Sequence, residues 1–238
     1  MLTVDARAKI NLTLDILGKR PDNYHEVAMV MQQIELSDLL EVRLGAKGDG
    51  IHLISDIPGL PNVERNLAYK AAKLVVDKFA IQQGFYMELT KRIPIAAGLA
   101  GGSADAAAVI VALNELFNLG LYDDELCELG AEIGSDVPFC IQGGTMLATG
   151  RGEILKPLSA MPACYVVLAK PQISISTAWA YQNYDAASVN VHPENTEIIK
   201  CLEQGDLQSI SKLLCNVLES VTIKEHAGIA MIKKLMLQ

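Results

Sequence analysis

A glycine-rich stretch at residues 94–108 contains residue types that could bind an anion. It reads Pro-Ile-Ala-Ala-Gly-Leu-Ala-Gly-Gly-Ser-Ala-Asp-Ala-Ala-Ala. Glycine has no Cβ and accepts positive φ angles, so the backbone N–H groups of such a loop can turn toward a ligand. Ser103 is a good N-cap, and residues 104–117 predict a helix whose first N–H groups lack partners within the helix and suit phosphate. The alternative interpretation is a tight turn into a capped helix that binds nothing.

Known phosphate-binding patterns limit the type of loop. The stretch contains neither Gly-x-x-x-x-Gly-Lys-Ser/Thr nor Gly-x-Gly-x-x-Gly. A phosphate loop at this place is therefore neither a P-loop nor a dinucleotide-binding turn.

Two sequence patterns indicate a lysine and an aspartate elsewhere in the chain as candidate functional residues. Residues 3–15 alternate apolar and polar side chains, which predicts a half-buried strand with Lys9 and Asn11 on one face. A solvated sheet face would explain both residues without a function. Asp136 lies between Gly134 and an apolar Val-Pro-Phe run, so we expect its carboxylate to be partly buried and to need a partner. Its alternative role is to cap the following turn.

The remaining pattern predicts the elements that position these residues. Strands are predicted over 27–44, with a break at Ser37-Asp38, and over 51–54, 85–92 and 164–169, the last of them buried; helices are predicted within 61–80, over 121–133 and through most of the chain after residue 193. A hairpin is predicted to turn at 150–152. The polar loop 18–25 carries Tyr24 and His25, which are surface residues unless the loop binds a ligand.

Composition excludes several classes of function. The chain has 238 residues, of which 50% are hydrophobic and 20% charged, as in an ordinary globular protein. The net charge of −8 and the lack of a basic run argue against nucleic acid as a partner. Neither a signal peptide nor an apolar stretch of membrane-spanning length is visible, so we expect no membrane partner. The five widely spaced cysteines favour neither disulfides nor a metal site and suggest a cytoplasmic protein.

Four ordered segments together resemble the GHMP small-molecule kinases. They are residues 8–12 with 18–26, residues 94–107, residues 134–139 and residues 144–153. The resemblance implies an α+β, two-domain GHMP kinase fold. Its nucleotide-binding domain, similar to ribosomal protein S5 domain 2, would span residues 1–157, and a ferredoxin-like α/β sandwich would span 158–238. The family's third motif, a Gly/Ser-rich loop, is absent, so the second domain is expected to be incomplete at its C-terminus.

The resemblance also implies the role of each candidate residue. ATP would be the phosphoryl donor, accompanied by Mg²⁺. Asp136 would be the catalytic base and Lys9 its partner. The residues expected to bind ATP are Asn66, Pro94, Ala97, Gly98, Leu99, Ala100, Gly101, Gly102, Ser103 and Ala104. Those expected to bind the second substrate are Asn11, Tyr24, His25 and Tyr181. The family usually has glycine where Ala100 stands and often serine where Ala104 stands, and alanine is small enough for both places.

Three functions fit the sequence. The Lys-Ile-Asn and Tyr-His segments favour a kinase that acts on the 2-hydroxyl of a cytidine-bearing alcohol, in the non-mevalonate route to isoprenoid precursors. The alternatives are another GHMP kinase, of the mevalonate or homoserine type, and a relative that binds a nucleotide without catalysis. In each case the partners are small molecules, and the protein is expected to be a monomer or a homodimer.

Overall fold

The chain forms two compact units in the computed structural model, which describes residues 1–57 and 63–237. Unit 1 consists of Met1–Lys9, Gln33–Pro94 and Leu99–Gly143; unit 2 consists of Ile10–Gln32, Ile95–Gly98 and Gly144–Gln238. The two units interleave along the chain, whereas the predicted domains 1–157 and 158–238 are consecutive segments. The domain boundary at residue 157 therefore stays a prediction.

The first two strands contribute to both units. Strand β1 spans Leu2–Lys19 and β2 spans His25–Lys47. The alternation of residues 3–15 is thus confirmed as a strand, but the predicted break at Ser37-Asp38 is wrong, because β2 runs through it. Asp38 is fully buried, and its carboxylate accepts hydrogen bonds from the backbone N–H groups of Arg92 and Ile93. A charged residue can remain inside a strand when its carboxylate is satisfied in this way.

Unit 1 packs helices with a small group of strands. Strand β3 (Ile51–Ser55) pairs in parallel with β4 (Gln83–Thr90), and β4 pairs antiparallel with the second half of β2. The helices are α1 (Leu67–Lys78), α2 (Gly101–Leu116), α3 (Asp123–Ile133) and α4 (Val137–Gln142). Alanines along α2 are buried and let the helix approach its neighbours closely, and the ring of Phe85 packs 5.8 Å from that of Phe117.

Unit 2 has its own core. Strand β5 (Thr145–Thr149) pairs with the first half of β2 and, through the predicted hairpin, with β6 (Ile154–Pro157). The short β7 (Cys215–Asn216) pairs in parallel with β1. The helices are α5 (Thr177–Gln182), α6 (Asn195–Gln204), α7 (Leu207–Lys212), α8 (Glu219–Glu225) and α9 (Ala227–Met236). Their predicted predominance after residue 193 is confirmed. The core consists of Leu12, Val30, Ile198, Cys201, Leu202 and Ile210.

The predicted buried strand at 164–169 is wrong. These residues form no strand, and the side chains from Tyr165 to Leu168 are exposed. A strand needs a neighbour for its backbone hydrogen bonds, and no strand in the described part of the chain pairs with this segment. The pattern of apolar residues indicated burial but could not show whether a pairing partner exists.

Residues 61 and 62, where the segment predicted to contain a helix begins, lie outside the described residues. Within residues 1–57 and 63–237, none of the helices is both long enough and apolar enough to cross a membrane. The predicted cytoplasmic location stays a prediction.

Candidate active site

Lys9 and Asp136 form an ion pair in unit 1. Lys9 lies on β1 and is only 5% exposed, and its Nζ is 3.7 Å from a carboxylate oxygen of Asp136, whose side chain is one-third exposed. The backbone N–H of Lys9 donates a hydrogen bond of 3.1 Å to the carbonyl oxygen of Leu99. The same strand residue therefore contacts both the carboxylate and the glycine-rich segment.

Asp136 does not have the capping role that was its alternative. It stands at the N-cap position of α4, but its side chain makes no capping hydrogen bond. The carboxylate lies beside the Lys9 ammonium group instead, and a carboxylate held in this way can accept a proton from a nearby hydroxyl group.

Cys140, one turn further along α4, does not compete for that chemistry. Burial, aided by the negative charge of Asp136, raises the pKa of its thiol to about 12. The thiol therefore stays protonated at neutral pH, and a protonated thiol is a poor nucleophile. Of Asp136 and Cys140, it is therefore Asp136 whose side chain can accept a proton from a substrate.

The glycine-rich segment turns sharply before α2. Positive φ angles occur at Ala96 (53°), Gly98 (73°) and Ala100 (57°), of which only the glycine adopts this region without strain. Helix α2 begins at Gly101, so the prediction that Ser103 is the N-cap is wrong. The chain enters the helical conformation earlier because Ala100, in the left-handed region, occupies the N-cap position.

The start of α2 has the properties of an anion site. Ala100 has no side-chain acceptor for the first N–H groups of α2, and the first turn contains no acidic residue. Such N–H groups carry partial positive charge and favour phosphate. A Cβ on Gly101 would lie 3.1 Å from the side chain of Ile93, which is a tight contact, so packing favours glycine there. Gly102 is exposed, which leaves its backbone accessible.

Asn66 caps α1. Its side-chain oxygen accepts a hydrogen bond of 2.9 Å from the N–H of Ala68. The nucleotide contact that the family resemblance implies for Asn66 stays a prediction. The side chains of Leu99 and Ala104 are buried, so these two residues could contact a nucleotide only through their backbone.

The residues expected to bind the second substrate lie in unit 2, where two of them are brought together. The rings of His25 and Tyr181 stack with centroids 5.4 Å apart and an interplanar angle of 29°. Burial and the charge of Lys19 lower the pKa of His25, so its imidazole is neutral at pH 7. A neutral imidazole offers one donor and one acceptor. Tyr24 is half exposed, and Asn11 lies on β1.

The structure adds two residues that sequence reasoning missed. Tyr184 meets His25 edge to face, with centroids 6.4 Å apart. The guanidinium group of Arg151 lies 4.9 Å from the ring centroid of Tyr24. Arg151 was predicted only as part of a hairpin turn and of a segment that resembles the GHMP kinases. Its contact with Tyr24 depends on tertiary structure that no local pattern records.

Comparison with known proteins defines the class of this chain. Residues 66–144 match the family described as GHMP kinases N terminal domain. The fold is similar to that of homoserine kinase from Cytophaga hutchinsonii, with a TM-score of 0.63 and 20% identity, over 90% of this chain and 71% of that chain. The fold is therefore that of the GHMP kinases, and the predicted α+β GHMP kinase fold is confirmed.

Relatives with higher identity specify the family within that class. The chain is 52% identical to 4-diphosphocytidyl-2-C-methyl-D-erythritol kinase of Geobacillus kaustophilus, over 99% of its length and 81% of the relative's. It is 54% identical to the protein of the same name from Bacillus pumilus, over 97% and 79%. A crystal structure of 4-(cytidine 5'-diphospho)-2C-methyl-D-erythritol kinase gives a TM-score of 0.77 and 29% identity, over 97% of this chain and 81% of that one. The chain belongs to the 4-diphosphocytidyl-2-C-methyl-D-erythritol kinase family.

Proposed function

We propose that this protein transfers the γ-phosphoryl group of ATP to the 2-hydroxyl group of 4-diphosphocytidyl-2-C-methyl-D-erythritol, in the non-mevalonate route to isopentenyl diphosphate. The observation that carries the proposal is the pair of Lys9 and Asp136, with Lys9 also bonded to the backbone of the glycine-rich segment. Membership of the family named for this substrate supports the choice of acceptor.

The proposed chemistry needs positioning and charge neutralisation more than covalent help. Asp136 accepts the proton as the O–H bond of the substrate breaks. The substrate oxygen then bonds to the γ-phosphorus of ATP, the bond from that phosphorus to the bridging oxygen breaks, and ADP leaves. Lys9 holds the carboxylate in place and adds positive charge. The first N–H groups of α2 bind the phosphates.

Mg²⁺ would enter the site with ATP. Among the described residues, no group of three or more His, Cys, Asp or Glu side chains could hold a metal ion. This donor set fits a magnesium ion bound largely by phosphate oxygens and water, which needs few protein ligands. In the glycine-rich segment, the hydroxyl group of Ser103 could contribute one ligand. The ion would neutralise the charge that develops on the phosphate oxygens.

Unit 2 would recognise the cytidine part of the substrate. Cytosine is flat and presents donors and acceptors at its edge, so a stacked aromatic ring and a neutral imidazole can select it without net charge. Tyr181 would stack on the base and His25 would hydrogen-bond to it. Asn11 and Tyr24 would contact the rest of the substrate.

Release of ADP tests the proposal and separates it from its alternatives. Purified protein is incubated with ATP, Mg²⁺ and one acceptor at a time, either 4-diphosphocytidyl-2-C-methyl-D-erythritol, mevalonate or homoserine. We expect ADP only with the first acceptor, and inhibition of its release by cytidine nucleotides. Release with mevalonate or homoserine would indicate another GHMP kinase. ATP binding by calorimetry without ADP release from any acceptor would indicate a non-catalytic nucleotide-binding protein.

A further inference from the structure

Three charged side chains are buried together beside the start of α2. The ammonium group of Lys91 bonds to the carboxylates of Asp38 and Asp105, the second at 2.5 Å. All three side chains are at most 6% exposed. The cluster therefore joins a residue of β2, a residue just after β4 and a residue of α2 through one nitrogen atom.

The cluster contacts the part of α2 that would meet phosphate. Asp105 follows Gly101 by four residues, so the two share one face of the helix, about 6 Å apart along its axis. A Cβ on Gly101 would lie 3.7 Å from a carboxylate oxygen of Asp38. The carboxylate of Asp38 also accepts hydrogen bonds from the backbone N–H groups of Arg92 and Ile93, which directly precede the glycine-rich segment. The same buried charges thus hold both ends of that segment.

Stability alone is a weak reason for such an arrangement. Desolvation of buried charges offsets most of their attraction, and apolar residues of similar volume often serve stability as well. Hydrogen-bonded charges, however, are satisfied in only one geometry. A buried ion cluster therefore fixes the position of the elements that it joins.

We propose that Lys91, Asp38 and Asp105 are positioning residues for ATP, which hold the N–H groups of the first turn of α2 where they meet the phosphates. This proposal rests on the proposed function, because it assigns the phosphates of ATP to α2. It concerns ATP alone, since the residues proposed to bind cytidine lie in unit 2.

The charge of the cluster also depends on pH. Burial raises the pKa of Asp105 to about 7, in spite of the lowering effect of Lys91, and the carboxylate of Asp38 raises it further. Its Oδ1 has no hydrogen-bond partner among the described residues. The ionisable groups around it are Lys91, Asp38 and the protonated thiol of Cys140. The cluster therefore gains one negative charge as the pH rises through about 7.

Calorimetric binding of ATP and of cytidine to the full chain tests this inference. For Lys91→Met we expect ATP to bind about tenfold or more weakly, equivalent to about 1.4 kcal/mol, with cytidine affinity unchanged. The matched control, Lys73→Met, removes an exposed lysine of α1 and should bind both ligands like the wild type. For Asp105→Asn, which removes one of the two carboxylates that hold the Lys91 ammonium group, we also expect weaker ATP binding with cytidine affinity unchanged.

Three results would overturn the inference. They are unchanged ATP affinity in Lys91→Met, an equal loss of ATP and cytidine affinity in that variant, and unchanged ATP affinity in Asp105→Asn. If Lys91→Met does not fold, Lys91→Met/Asp105→Asn replaces it, because this variant leaves only one buried carboxylate, and the same expectations apply. If the wild type binds ATP and Lys91→Met binds it more weakly, but neither releases ADP, the proposed function would be refuted and the positioning role supported.

Discussion

The Nζ atom of Lys9 lies 3.7 Å from the carboxylate of Asp136, and the backbone N–H of Lys9 bonds to Leu99 beside the glycine-rich segment. One residue on one strand thus links the proposed base with the segment that would bind phosphate. Because the Lys9 side chain is buried, its position is determined by packing as well as by charge.

Replacement of Lys9 by methionine should affect catalysis more than binding. Methionine keeps much of the length of the side chain and removes the positive charge beside Asp136. We expect kcat to fall about 100-fold or more, within the range that positioned charges contribute, and the dissociation constant of ATP to change much less. Steady-state kinetics and calorimetry measure the two quantities. The control is Lys47→Met, which replaces an exposed lysine at the end of β2. An equal loss of kcat and ATP affinity in Lys9→Met would contradict the proposed role of Lys9.

Replacement of Tyr181 should alter recognition of cytidine alone. Tyr181→Ala removes the ring that stacks on His25 and would stack on the base. A stacked aromatic ring contributes on the order of 1–3 kcal/mol per base, so KM for the cytidine substrate should rise by about tenfold while KM for ATP stays unchanged. Tyr181→Phe keeps the ring and should retain most of the affinity. If Tyr181→Phe were as impaired as Tyr181→Ala, stacking would not be the interaction.

The binding of cytidine should depend on pH through His25. Burial lowers the pKa of this imidazole below its usual value of 6.5, so the neutral form predominates from pH 7 upward. We expect constant affinity between pH 7 and pH 8 and weaker binding as the pH falls through the pKa and the ring loses its acceptor. Cytidine itself is the right probe, since it carries no titrating phosphate. His25→Gln should lack this dependence at acid pH, and an identical profile in that variant would refute the role.

Replacement of Ala100 by glycine should stabilise the protein. Ala100 has a φ angle of 57° at the N-cap of α2, a region that costs an L-residue about 1–2 kcal/mol. Glycine adopts it freely but loses about 0.5–1 kcal/mol of chain entropy, so the net gain should be up to about 1.5 kcal/mol. Urea denaturation measures it. The control Ala108→Gly, in the middle of α2, should lose about 1 kcal/mol, and destabilisation of both variants would show that Ala100 is not strained.

Local sequence patterns predicted the elements better than the contacts between them. Alternation in residues 3–15 identified β1 because half of its side chains face a core. The apolar run at 164–169 has the same composition as a buried strand, yet it is exposed, because pairing depends on a neighbour that no local pattern specifies. Asp38 led to the opposite error, a strand predicted to break where it continues. A charged residue inside an apolar run suggests a break, but the carboxylate of Asp38 accepts a hydrogen bond from the distant backbone N–H group of Ile93.

The candidate site shows the same limit. Glycine spacing indicated an anion site before α2, but not that the helix starts at Gly101 with Ala100 in the left-handed region. The roles expected for Lys9 and Asp136 came from the family resemblance. The two residues form an ion pair although most of the sequence of unit 1 lies between them, so no local pattern could indicate that contact. Arg151 and Lys91 were missed because each contacts residues remote in sequence.

Replacement of Asp136 by asparagine tests the central claim most directly. In a single-turnover reaction, enzyme in excess is mixed with ATP, Mg²⁺ and 4-diphosphocytidyl-2-C-methyl-D-erythritol, and the phosphorylated product is measured by mass spectrometry. Asparagine has the size of aspartate but cannot take up the substrate proton, so we expect the rate to fall by about 100-fold or more with ATP affinity retained. Product formation at the wild-type rate in Asp136→Asn would contradict the assignment of Asp136 as the base.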